Sequence, residues 1–214
     1  MWATGPAATL KGVSRRRLEA FTDGVIAILI TIMVINLHAP LGHRFGNLRP
    51  LLPTLLVYLL SFTFLAIYWN NHHHLMQVVE RIDGRVLWAN MALLFCLSLT
   101  PIATAWLGPN TDQVAPVVIY GVVLLASAVA YSVLTRALLA LHPAESRLAL
   151  ALGDDRKGRL SVLAYLTAIG VAFISPPAAI AMYVALAAVW LVPDRRISRI
   201  TGDTADPGDA APEG

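Results

Sequence analysis

Charge is what this chain has least of. Only 14% of its 214 residues are Asp, Glu, Lys or Arg, while 57% are hydrophobic. Soluble globular domains carry about 25% charged residues, so the composition excludes an ordinary soluble domain. A mean hydropathy of +0.65 points to a bilayer instead. Cysteine is nearly absent too. The single Cys96 permits no intrachain disulfide and no multi-cysteine metal centre. Catalytic strings are missing: there is no Gly-x-Ser-x-Gly, no His-Glu-x-x-His and no phosphate-cradling glycine loop. The expectation is therefore not an enzyme. A Thr-Val-Gly-Tyr-Gly carbonyl filter is also lacking. Ile119-Tyr120-Gly121 has no preceding glycine and lies inside a long apolar run. The net charge of +3 flanks hydrophobic runs and forms no stripe, which argues against nucleic-acid binding.

What the chain does have is apolar runs. A spanning helix needs about 20 mainly apolar residues. Six candidates qualify: Leu18–Leu37, Leu51–Trp69, Val86–Leu107, Val114–Leu141, Leu160–Ile174 and Ala178–Val192. The last two hold only 15 residues each, so one span kinked at Ser175-Pro176-Pro177 is the competing reading. Basic residues favour six. With a cytoplasmic N-terminus, six spans place 14 of the 16 Lys and Arg residues inside and leave only Arg44 and Arg49 outside. Five spans would strand Arg195, Arg196 and Arg199 outside. The expected fold class is an all-α membrane protein with six transmembrane helices per chain and both termini cytoplasmic. Residues 1–14 read as a mobile leader, 15–196 as the transmembrane domain and 197–214 as a disordered cytoplasmic tail. The first run is nearly a full span and ends without a small-x-small pattern, unlike a cleavable signal. The stretch Pro143–Arg159 mixes acids and bases and reads as a solvated linker.

Asp23 sits inside the first run. A carboxylate there is costly and needs a partner. Arg17 on the preceding turns is one candidate. A histidine from the end of the second helix, Tyr68-Trp69-Asn70-Asn71-His72-His73-His74, is another. An Asp–His bond would lock the first two helices, and imidazole titrates at about pH 6.5, so the same pair would respond to pH. Three successive histidines point about 100° apart on a helix and cannot converge on one ion, so no metal site is expected. Farther along, Ile28, Ile32 and Ile35 fall near one line with Thr31 beside it, and Gly24, Ala27 and Thr31 form a strip of small residues. Periodicity alone lets that stripe face lipid or a neighbouring helix. Repeated around an axis, it would form a hydrophobic constriction that gates by dewetting. One motif per chain means such a ring needs several chains.

With those residues in view, the chain resembles the prokaryotic branch of the transmembrane protein 175 family of potassium channels. The likeness rests on Arg17-x3-Phe21-Thr22-Asp23-Gly24-Val25-x-Ala27-Ile28-x2-Thr31 and on Ser61-Phe62-x5-Tyr68-Trp69-x2-His72-His73. The six-span layout supports it. The resemblance implies a homotetramer in the cell membrane with the first helix lining the pore. Ile28 would form the main constriction, with Thr31, Ile32 and Ile35 lining the pore above it. Arg17, Phe21, Thr22, Asp23, Trp69, His72 and His73 would form a structural signature and interhelical network. Conduction would be passive and weakly to moderately potassium-selective, with no cofactor; the partners would be further copies of the chain, potassium ions and lipid. Two departures stand out. Thr22 replaces the usual Ser but keeps the hydroxyl, and Asn36 stands where relatives often carry an acid. Two other readings remain open: a proton-coupled secondary transporter using Asp23 and His72–His74, and a non-conducting membrane scaffold.

Overall fold

The computed structural model describes residues 14–143, 146, 148 and 156–191. The leader up to residue 13, much of the Pro143–Arg159 linker and the tail 197–214 lie outside the described residues. Among the described residues the principal helices run in order α1 (Arg15–Ile35), α2 (Leu52–Val78) entered through a 3-10 turn at Phe45–Leu51, α3 (Gly84–Ser98), α4 (Thr100–Leu107), α5 (Val114–Leu139), α6 (Arg156–Ala172) and α7 (Pro176–Leu191). Among the described residues, four stretches are long and apolar enough to cross a membrane: Arg15–Ile35, Phe45–Val78, Gly84–Leu107 and Val114–Leu139. The helices α6 and α7 are shorter, at 17 and 16 residues. At 1.5 Å per residue they are about 25 Å long, a little short of a hydrocarbon core of about 30 Å.

Counting α3 and α4 as one bent span gives the six expected. Asp83 starts it by accepting the Val86 N–H at 2.9 Å, an N-cap bond. Pro101 has no N–H to continue the ladder, so the helix pauses at Leu99. The Leu99 N–H turns to Cys96 O at 3.2 Å, and the ladder resumes with the Ala103 N–H on Leu99 O at 3.1 Å.

The choice between a kinked span and two helices at Ser175-Pro176-Pro177 is decided by Trp190. Its Nε1–H donates to Ser161 Oγ at 2.8 Å, and Lys157 Nζ lies 4.6 Å from the centre of its ring. The end of α7 thus lies beside the start of α6, which only an antiparallel hairpin allows. Pro176 and Pro177 suit the first turn of α7, where backbone N–H groups have no helical partner.

Lipid is as apolar as leucine, so close packing and hydrogen bonds bring helices together in a bilayer more than hydrophobicity does. Two apolar clusters do the packing here. One joins α1 with α2, α3 and α5 through residues such as Ile26, Met33, Leu65, Leu93 and Leu134. The other centres on Phe64, Tyr120, Tyr165 and Tyr183, whose rings meet at 5.8 to 6.5 Å. Within it, Ser61 Oγ lies 2.9 Å from the Tyr120 hydroxyl and 2.7 Å from the Thr104 hydroxyl, tying α2, α5 and α4 together.

Gly121 belongs to the same joint. A Cβ there would overlap the Tyr183 hydroxyl and come within 2.8 Å of Tyr183 Cζ and Ile169 Cγ1. The Ile119-Tyr120-Gly121 string is therefore a packing site between α5 and α7. Gly121→Ala should cost about 1–3 kcal/mol of stability through overpacking. Adding Tyr183→Phe should recover part of that loss by removing the hydroxyl that the methyl meets. Thermal unfolding in mild detergent measures both; equal melting of Gly121→Ala and wild type would disprove the clash.

Candidate functional site

The first helix has two unlike faces. Leu18, Thr22, Ile26, Leu29 and Met33 are buried. At about 100° per residue they fall within an arc of about 80°. On the opposite side Gly24, Ala27, Ile28, Thr31, Ile32 and Ile35 are exposed. Ile28, Ile32 and Ile35 keep 59%, 41% and 72% of their surface open. The only hydroxyl among these six donates within the helix, from Thr31 Oγ1 to Ala27 O at 2.9 Å. The stripe is uncharged and without internal cover.

Polar ties set this rotation. Asn90 on α3 donates from Nδ2 to Thr22 Oγ1 at 3.0 Å. With its nitrogen so engaged, its Oδ1 accepts from His72 Nε2 on α2 at 3.1 Å. Thr22, Asn90 and His72 are all buried, the last at 1% exposure. This chain of bonds gives His72 the Nε2–H tautomer and leaves its Nδ1 buried without a partner.

A second set of ties runs along the edge of the same contact. The Trp69 Nε1–H donates to Asp23 Oδ1 at 3.0 Å. One turn earlier on α1 and one turn later on α2, His73 Nδ1 donates to Glu19 Oε1, also at 3.0 Å. Gln77 Nε2 donates to the other nitrogen of His73 at 2.9 Å, which fixes the ring's tautomer. The Trp69 and His73 rings stack, 5.7 Å apart and 11° from parallel. Arg15 extends the ladder by donating from Nη1 to Gln77 O and Val79 O at 3.3 and 3.1 Å. Those carbonyls at the end of α2 have no helical partner, and a cation there also suits the helix dipole.

The sequence led us to pair Asp23 with Arg17 or with a histidine. The structure gives Asp23 to Trp69 and gives the histidines to Glu19 and Asn90. The reason is antiparallel register: positions 19 and 23 on α1 meet 73 and 69 on α2, and each acid takes the donor at its own level. Arg17 and Phe21 stand apart from this network. Both are exposed, and with Leu18, Leu87 and Met91 they line a crevice of about 230 Å³ between α1 and α3. Glu19, Asn90 and Arg15 are the partners that sequence reasoning missed. A lone Asn inside an apolar run was the available signal for Asn90, since it too needs a partner. Among the described residues, no group of three or more His, Cys, Asp or Glu residues is placed to hold a metal ion.

The chain is similar to several known proteins. The family described as endosomal/lysosomal potassium channel TMEM175 matches residues 17–101, which carry the stripe and all three helices of the polar ties. A potassium channel of Chryseobacterium sp. (strain P1-3) is 44% identical over 187 residues, covering 87% of this chain and 97% of the relative. A potassium channel of Streptomyces collinus (strain DSM 40733 / Tue 365) is 31% identical over 183 residues, covering 80% and 88%. The crystal structure of a lysosomal potassium-selective channel TMEM175 homolog from Chamaesiphon minutus superposes with a TM-score of 0.72 at 26% identity, over 85% of this chain and 97% of that one.

Thr22 offers a direct test of the buried ties. Thr22→Val keeps the volume but leaves the Asn90 amide without an acceptor, and should cost about 1–3 kcal/mol. Thr22→Ser keeps the oxygen and should cost less. Melting temperatures of the two variants in detergent check this, and the idea fails if valine is tolerated as well as serine.

Proposed function

Because this chain belongs to the TMEM175 family of channels, we propose that it is a potassium-permeable cation channel of the cell membrane, built from four copies around one pore. In this reading α1 lines the pore. Ile28 forms the main constriction, and Thr31, Ile32 and Ile35 line the path beyond it. Thr22, Asp23, Trp69, His72 and His73 hold α1 in place and do not touch the ion. Conduction is passive and needs no cofactor, and selectivity for potassium over sodium is weak to moderate.

The observation that carries the reading is the bare stripe on α1. Its uncharged Ile residues lie opposite a face that is fully packed and polar-bonded. Each chain supplies one such stripe, so closure into a ring requires symmetric copies. An apolar neck discriminates by the cost of removing water from the ion, and potassium gives up water more readily than sodium. The carrier alternative finds less support. It needs Asp23 and the histidines on a watery path, yet Asp23 is bonded to Trp69 and His72 is buried behind α1.

Potassium flux into liposomes holding the purified protein tests the proposal. Wild type should pass potassium faster than sodium. Ile28→Ala should raise total flux and shrink that difference, because a wider neck leaves ions more of their water. Absence of flux from folded, oligomeric wild type would leave a non-conducting scaffold as the better account.

A further inference from the structure

Leu41 and Phe45 are exposed at 96% and 94%, more than any other large hydrophobic residue among those described. They stand four residues apart in the connection that leaves α1 and enters α2. That connection is a built turn. Asn47 Nδ2 donates to Leu41 O at 2.8 Å, and the Asn47 N–H donates to Arg44 O at 2.9 Å. Gly42 adopts φ +105°, where a Cβ would overlap the Asn47 side chain, so glycine is what lets the turn close. Closing it turns the two apolar side chains outward.

An apolar pair held out in this way marks a surface that meets another phase or molecule. The charge around it is of one sign. Arg44 and Arg49 are both exposed, His43 lies between the apolar pair, and no Asp or Glu occurs from Gly24 to Val79. Beyond the turn the apolar surface continues down α2 through the exposed Leu52, Leu55, Leu56 and Leu59. We propose that this connection is an interfacial lipid anchor: Leu41 and Phe45 insert at the boundary between headgroups and acyl chains in the leaflet at the C-terminal end of α1, and Arg44 and Arg49 engage the phosphates of anionic phospholipid. Shallow apolar insertion combined with basic side chains is how interfacial segments bind anionic membranes. A second copy of the same turn is a poorer occupant, because it would set like charges together with no acid on the turn to meet them. The inference rests only on the chain being membrane-embedded and is independent of what the channel conducts.

Depth-sensitive fluorescence on the full-length protein in liposomes tests it. An environment-sensitive label is placed at Phe45→Cys in a Cys96→Ser background, with Asp112→Cys as the control on the connection between α4 and α5. In vesicles of phosphatidylcholine and phosphatidylglycerol, the label at 45 should emit to the blue of the control. Nitroxides on lipid headgroups should quench it and aqueous iodide should not. Replacing phosphatidylglycerol with phosphatidylcholine should weaken the lipid quenching, and Arg44→Gln with Arg49→Gln should abolish that lipid dependence. Quenching by iodide and not by lipid would overturn the anchor. Protection from both quenchers would mean that protein covers the turn, and would overturn it equally. Lipid quenching indifferent to phosphatidylglycerol would overturn the anionic headgroup as the ligand.

Discussion

The rotation of α1 about its own axis is the constraint on which the rest depends. In a bilayer an apolar helix gains nothing from hiding Ile or Leu from lipid, so hydrophobicity alone does not choose which face turns inward. The Thr22–Asn90–His72 chain makes the choice. Thr22 meets Asn90 only when the face carrying Ile26, Leu29 and Met33 is turned toward α2, α3 and α4. The same rotation leaves Ile28, Thr31, Ile32 and Ile35 outside. One hydroxyl thus fixes where four pore-candidate side chains point.

The acids of α1 follow from the same setting. Glu19 and Asp23 lie one turn apart and meet His73 and Trp69, also one turn apart on an antiparallel partner. Both carboxylates are drawn sideways toward α2. This satisfies groups that would be expensive alone in hydrocarbon. It also keeps negative charge off the stripe. A pore lined here would present Ile methyl groups and the Thr31 hydroxyl, with no fixed charge to trap a cation.

Much of this was legible in the sequence, and what escaped has physical reasons. The long apolar runs predicted the spans well, because hydrocarbon thickness sets their length. Hydropathy ended the second run at Trp69, yet α2 continues to Val78. Asn70 to His74 are polar, but His72 Nε2 is bonded to Asn90 and His73 to Glu19, so these side chains find partners within the bundle while the helix continues. Asp23 drew attention as an acid in an apolar run. Trp69 is expected in the interhelical network through the family resemblance, but not as the partner of Asp23, because it reads as an apolar or interfacial residue until its indole N–H is placed. Arg15 was counted as one more positive-inside charge, and only the structure reveals that it closes the end of α2. The sequence excludes Ile119-Tyr120-Gly121 as a carbonyl filter but assigns Gly121 no role; the Tyr183 ring across from it, distant in sequence, makes it a steric requirement.

The ties on α1 are unevenly placed, and that unevenness separates two kinds of residue. Interhelical hydrogen bonds reach it at Arg15, Glu19, Thr22 and Asp23, all in its N-terminal half. Beyond Asp23 the helix is held by apolar packing and by one long contact, 3.8 Å from the Thr104 hydroxyl to the Met33 sulfur. These ties therefore set the helix's rotation and anchor one end. The stripe from Ile28 to Ile35 lies on the part held by dispersion forces, which resist a small tilt far less than a hydrogen-bonded ladder does. Changes at Thr22 or Asn90 break the buried ties and act on stability; changes at Ile28 leave those ties intact and, in the proposed channel, would act on the width of the neck. Stability and flux, measured on the same variants, therefore report on different halves of one helix.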